Sequence, residues 1–210
     1  MTIKQVLTFS DNILHLHAAA DGLWIGHQGG VSFLDPRHGG FQKWTTRDGL
    51  PAHPVLHVAT EGDRVALATP NGVAWHEDVR GLGRDTGGEA RHRRWERGLM
   101  HPQGAGAYVN GVAFVHGKIY AATGGGRLYR EGDGGFELLE LPLRQARLVR
   151  ALALPCPKRS LRLLLITNNS GILLLATGGN QEPSLYQWGE DEGLCSRYVT
   201  TMAQAGEHVA

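Results

Sequence analysis

Eleven histidines in a chain of 210 residues are the side chains best suited to chemistry here. In His15-Leu16-His17 two imidazoles fall on one face of a strand, because strand side chains alternate, and that spacing can chelate a metal. No third ligand lies nearby in sequence, so neither a metal site nor any other cofactor is expected. His53 and His57 are four apart and would share a face only on a helix, which the surrounding pattern does not support. Cys156 lies in Pro155-Cys156-Pro157, a turn rather than the helix terminus that lowers a thiol pKa, and no G-x-S-x-G follows anywhere. The glycine run TGGGRLYREG at 123–132 lacks the glycine spacing and the Lys-Ser or Lys-Thr of a phosphate loop. Cys156 and Cys195 form no C-x-x-C and read as buried spectators rather than zinc ligands or a disulfide framework. No catalytic residue is expected from these motifs.

The elements that hold these residues follow from composition and pattern. Thirty glycines are about twice the usual share and imply many tight turns. With 21 Lys and Arg against 20 Asp and Glu, the net charge of +1 gives no bulk attraction to nucleic acid or anionic membrane, so neither partner is expected. The longest apolar segments, 163–166 and 172–176, suit buried strands and fall far short of the ~20 residues of a membrane helix. The start of the chain has Lys4 and Asp11 too close together for a signal peptide's apolar stretch, which predicts a cytoplasmic protein.

The stretch DGLWIGHQGGVSFLDPRHGGFQKWTTRDGLP, residues 21–51, recurs. Matching Gly30 to Gly72, Gly126 and Gly171 defines shifts of 42, 96 and 141. These place Phe33 over Trp75, Tyr129 and Leu174, Asp35 over Glu77 and Glu131, and Ile25 over Ile166. WTTRDGL at 44–50 matches WGEDEGL at 188–194. Units of this length with four short strand-like segments predict an all-β fold, a β-propeller. About four complete four-stranded blades are expected, near 13–47, 54–97, 107–141 and 147–188. Residues 1–9 and 197–210 read as strands of a partial terminal blade, making 1–210 a single propeller with an incomplete ring. Phe33, Trp75, Tyr129 and Leu174 are the expected inter-blade layer. The recurring acids are expected to cap turns.

In residues 21–51 the run Gly22-Leu23-Trp24-Ile25-Gly26-His27, then Gly29-Gly30-Val31, Phe33, Asp35-Pro36, Gly40-Phe41 and Asp48-Gly49-Leu50-Pro51, resembles the repeat of two-component regulator propellers. That family's propeller is usually an exported sensor placed before a membrane kinase. A looser resemblance links the chain to bacterial propellers encoded beside MoxR-type ATPases, which are thought to be intracellular partners.

Innermost strands line a propeller's channel, so His15, His17, His57, Arg150 and Thr201 are expected to be channel lining. Two departures from the repeat stand out. Residues 80–97 hold six arginines against three acids. Arg84, Arg91, Arg93, Arg94 and Trp95 there either dock an acidic partner or phosphate-bearing ligand, or form a solvated loop with Trp95 packed between blades. The second departure, LPCPKRSL at 154–161, lengthens one connection and joins Arg144, Arg147, Arg150 and Arg162 in a basic neighbourhood. The reading is a non-catalytic interaction or ligand-sensing module with a protein partner, including another chain that completes the ring. The alternative is a propeller lyase or hydrolase using channel-mouth histidines and acids. Convergence of His15, His17 and His57 in a polar pocket is the feature that would favour chemistry.

Overall fold

The computed structural model describes residues 12–37, 39–78, 95–98, 108–141, 147–154, 156, 160–177, 183–200, 202, 204–205 and 208–209. Among these residues it is all-β apart from one 3-10 turn, and four of the sheets are four-stranded antiparallel meanders. Blade 1 comprises β1 (Ile13–Ala19), β2 (Gly22–His27), β3 (Gly30–Asp35) and β4 (Gly40–Trp44). Blade 2 comprises β5 (His57–Glu61), β6 (Arg64–Thr69), β7 (Gly72–His76) and β8 (Glu96–Gly98). Blade 3 holds β9 (Val109–Val115), β10 (Lys118–Thr123), β11 (Leu128–Gly132) and β12 (Gly135–Leu139). Blade 4 holds β13 (Leu148–Ala153), β14 (Leu161–Thr167), β15 (Ile172–Thr177) and β16 (Ser184–Trp188).

Alternating side chains give each sheet two apolar faces, and both need cover. Consecutive blades supply it through three buried clusters. Trp24 and Val31 of blade 1 pack with Val58, Val65, Leu67 and Trp95 of blade 2. Ala59, Ala66 and Val73, on the other face of blade 2, meet Val112, Phe114 and Ile119 of blade 3. Tyr120 and Leu128 then meet Leu163, Leu165 and Leu173 of blade 4. Val58 and Ala59, adjacent in β5, thus face opposite blades.

The turn between the second and third strands explains Gly30. Its φ is +142°, and a Cβ there would sit 2.1 Å from the carbonyl oxygen of Trp44. Gly171 occupies the same place in blade 4, with φ +75° and the carbonyl oxygen of Trp188 at 2.0 Å from such a Cβ. The segment after the fourth strand repeats in equal detail. The Thr45 N–H donates to Asp48 at 2.8 Å and the Leu50 N–H to the Thr45 carbonyl at 3.3 Å. The Gly189 N–H likewise donates to Glu192 at 2.6 Å and the Leu194 N–H to the Gly189 carbonyl at 3.0 Å.

Register corrects the sequence alignment at two places. In blade 1 His27 pairs with Gly30 and Trp24 with Phe33. In blade 3 Tyr120 pairs with Arg130 and Ala121 with Tyr129. The turn there is one residue longer, so Arg130 rather than Tyr129 takes the place of Phe33. A one-residue slip changes the face. Tyr129 therefore packs toward blade 2 with Ile119 and Phe114, while Phe33 packs from blade 1 toward blade 2 and Trp75 from blade 2 toward blade 3. Blade 4 has the same extra turn residue: Leu164 pairs with Leu174 and Leu165 with Leu173, so Ile25 corresponds to Leu165 and not Ile166.

The ends also differ from expectation. Residues 1–9 lie outside the described residues. Within 197–210 the expected inner strand is not formed over 197–200; Gln204–Ala205 (β17) and His208–Val209 (β18) instead make a small hairpin. Of the two cysteines read as buried, Cys156 is half-buried and Cys195 exposed.

Candidate functional site

The first strands of the four blades, β1, β5, β9 and β13, converge on one cavity of about 460 Å³. Each contributes a short run: 15–18, 57–60, 112–114 and 150–153, with Met202 added from the C-terminal segment. His15, His17, His57 and Arg150 thus share a single pocket, although up to 135 positions separate them in sequence (Arg150 minus His15). Thr201, expected beside them, lies outside the described residues.

The imidazoles are fixed by the neighbouring blade. The Val58 N–H donates to His15 Nδ1 at 3.2 Å, and the Val112 N–H donates to His57 Nδ1 at 3.4 Å. A nitrogen that accepts a hydrogen bond carries no proton, so in the neutral state each ring carries its proton on Nε2. The two rings lie 4.0 Å apart, centroid to centroid, and His15 stacks on His17 at 6.4 Å. His17 Nε2 in turn meets Thr60 Oγ1 at 2.8 Å, again across the blade 1 to blade 2 boundary. Burial, with Arg150 and His17 adding positive charge, lowers the His15 pKa to about 4. Burial, then His15 and Arg150, pushes His57 well below its usual value, and burial lowers His17. All three rings are neutral at pH 7.

Blade 3 places no side chain at the equivalent position because none fits. A Cβ on Gly111 would lie 2.6 Å from the Ala151 nitrogen and 2.9 Å from the backbone of Arg150. The Arg150 side chain reaches across the space left there. Its Nη1 donates to the carbonyls of Leu56 at 3.1 Å and Asn110 at 3.3 Å, tying blade 4 to blades 2 and 3. The Asn110 carbonyl is presented where its strand is irregular: β9 and β13 carry bulges at Asn110 and Val149, and β1 carries one at Leu14, while Leu56 immediately precedes β5. Bulges re-aim backbone groups out of the ladder. Arg150 Nε is buried with no acceptor, and desolvation alone lowers the guanidinium's pKa, with no carboxylate contributing. Among the described residues no Asp or Glu lines the pocket. Arg150 is therefore not part of the basic surface neighbourhood expected with Arg147 and Arg162.

The acids fall elsewhere. His57 pairs with Ala68 in β6, whereas Glu61, at the far end of β5, pairs with Arg64. Four residues of strand put these ends roughly 13 Å apart. At the far end Arg64 Nη2 donates to Glu77 at 2.8 Å and to Glu131 at 3.0 Å, and its guanidinium lies 5.1 Å from the centre of the Phe114 ring. Glu131 also accepts the Ile119 N–H at 2.9 Å, and Asp35 accepts the Arg37 N–H at 2.8 Å. The recurring acids thus join blades or cap a turn.

Arg84, Arg91, Arg93 and Arg94 lie outside the described residues. Trp95 is corrected as a binding residue: it is 2% exposed, stands edge-on to Trp44 at 6.1 Å and to His76 at 5.8 Å, and belongs to the blade 1 to blade 2 core. Among the described residues no group of three or more His, Cys, Asp or Glu is arranged to hold a metal ion. Sequence reasoning missed the carbonyls of Leu56 and Asn110 and the N–H groups of Val58 and Val112. Their signal is tertiary, since main-chain groups of any residue type can serve.

No protein-family model and no curated protein matches the chain. Solved structures do. The extracellular domain of the one-component system BT4673 of B. thetaiotaomicron superposes with a TM-score of 0.68 at 16% identity, over 98% of this chain and 27% of that one. The extracellular domain of the hybrid two-component system BT3049 of the same organism gives 0.61 at 16% identity, over 92% and 24%. The computationally designed Ika4 protein gives 0.53 at 9% identity, over 88% of this chain and 96% of its own. The chain spans about a quarter of the length of the two sensor chains. These likenesses agree with the propeller-type fold. They lend nothing to the looser resemblance to MoxR-associated propellers. They also overturn the cytoplasmic location expected from the sequence, because the sensor neighbours are extracellular domains. A blade repeat carries no physical signal of compartment, and the residues around Lys4 and Asp11 were a poor guide to it. Among the described residues no helix is long and apolar enough to cross a membrane.

Proposed function

We propose that this chain is a non-catalytic ligand-sensing module whose ligand enters the pocket between the inner strands. The observation that carries this reading is the pocket itself, in which four blades each commit inner-strand residues to one cavity and cross-blade hydrogen bonds rigidify its wall. A ligand there touches all four blades at once, so its binding energy couples directly to their relative placement. The sensor architecture of the structural neighbours accords with this role.

The histidines do converge, which is the feature that would favour a lyase or hydrolase. Their chemistry points the other way. His15, held as the Nε2–H tautomer with its pKa lowered to about 4, and His57, held alike and pushed well below its usual value, offer no lone pair toward the pocket to act as a base and are not imidazolium acids at neutral pH. The acids needed to complete such a mechanism stand at the far end of the blades, on Arg64.

A panel of neutral sugars and organic acids, screened by thermal shift, tests the reading. A panel member should raise Tm in the wild type and fail to do so in Ala18→Trp, which fills the pocket from an exposed wall position. A ligand shift untouched by that substitution, or turnover of any panel member, overturns it.

A partner that completes the ring is a second proposal, supported by the outer face of blade 4. Tyr186 and Trp188 there are 55% and 37% exposed. Light scattering of wild type against Tyr186→Glu tests it: self-association abolished by the substitution supports a second copy as the partner, and unchanged mass in both overturns that form of it.

A further inference from the structure

Resting on the channel reading above, the wall chemistry narrows the class of ligand. The side-chain positions that backbone partners leave free on His15, His57 and Arg150 are donors. His15 and His57 both spend Nδ1 on backbone N–H groups, which leaves Nε2–H as the free edge of each ring; neither Nε2 has a partner among the described residues. Arg150 spends Nη1 on two carbonyls, and its Nε has no acceptor. A guanidinium withdrawn from water without a carboxylate is costly, and an anion beside it that compensates its charge recovers part of that cost. The cavity is too large for an inorganic ion alone, at about 460 Å³, and beyond the His17–Thr60 pair the rest of its described wall carries apolar side chains, among them Leu16, Val58, Val112, Phe114, Leu152 and Met202.

We propose that the pocket takes a small organic acid, its carboxylate against the Arg150 guanidinium and the Nε2–H groups of His15 and His57, and its apolar body against the aliphatic wall. The two sets of contacts act together. Charge alone selects any oxyanion, and the apolar wall selects one attached to a carbon skeleton. The site discriminates against the neutral amide of the same acid, because an amide places N–H groups against donors and leaves the guanidinium uncompensated.

Calorimetric titration of the protein with phenylacetate, phenylacetamide and inorganic phosphate tests this. Phenylacetate is expected to bind saturably, phenylacetamide at least tenfold more weakly, and phosphate more weakly than phenylacetate. Arg150→Met should erase the preference for phenylacetate over its amide. Because Arg150 also ties blades together, Arg150→Lys serves as the folded control, keeping the charge and a preference of reduced size. Equal affinity for acid and amide overturns the carboxylate assignment while leaving a channel ligand standing. Phosphate binding as tightly as phenylacetate overturns the apolar half. Binding unchanged in Ala18→Trp shows that the acid sits elsewhere, and no binding of any probe overturns the proposal.

Discussion

The same repeat position has two fates in this molecule. In blade 1 Trp24, Phe33 and Trp44 form an aromatic stack, with centroids 4.9 and 5.6 Å from Trp24, and blade 2 covers it with Trp95. In blade 4 the register puts Leu164, Leu174 and Trp188 at those positions, with Tyr186 beside them. Leu164 is buried within its own sheet, but Trp188 is 37% exposed and Tyr186 55%. The strands, the tight glycine turn and the capped segment after the fourth strand are alike in both blades. The repeat therefore builds a blade whatever its neighbour, and only the neighbour turns its face into core. The partly wet Tyr186 and Trp188 are the observation behind the partner contact proposed above.

The sharpest way to break this comparison is to truncate one aromatic in the covered interface and one on the open face. Trp95→Ala opens a cavity in a closed interface and should cost about 3–5 kcal/mol in urea denaturation, whereas Trp188→Ala should cost well under that. Equal losses would mean that blade 4 is covered as fully as blade 1. The next effect is on the channel, which all four blades share. His15 and His57 have folded pKa values below the unfolded value of 6.5, so the unfolded chain takes up protons first as pH falls. Stability is then fully present above pH 6.5 and declines as pH drops toward about 4, where His15 also protonates in the folded state. The midpoint of denaturation followed from pH 7.5 to 4.5 should show this decline, and His15→Asn with His57→Asn should flatten it. A smaller effect belongs to the ion-paired side of the blade 2 to blade 3 contact. Arg64→Met removes bonds to Glu77 and Glu131 but keeps the packing on Phe114, for an expected loss of about 1 kcal/mol that shrinks in high salt. The smallest concerns the outer face itself. Tyr186→Ser should shift the unfolding midpoint least, since this ring keeps more than half of its surface in water.

Local information was enough for the blades. Alternation of apolar residues specifies strands, and Gly30 and Gly171 mark turns where the backbone leaves no room for a side chain, so the repeat and its closing WTTRDGL and WGEDEGL segments were legible residue by residue. It failed where length was ambiguous. The extra glycine in 124–126 let the Gly-Gly pair be matched one position out, and only the register of β10 on β11 shows that Tyr129 faces blade 2. Trp95 was open between packing and binding until the fold placed Trp44 and His76 against it. The channel row was legible as a list, because His15 and His57 repeat in phase. What that row can do was decided by tertiary structure. Backbone N–H groups of the next blade choose each tautomer, backbone contact at Gly111 excludes a side chain from blade 3, and the space so left admits a guanidinium with no carboxylate beside it. Strand periodicity is a property of neighbouring residues and is written in sequence. Proton placement and charge compensation depend on main-chain atoms brought together from far along the chain, which no residue type announces.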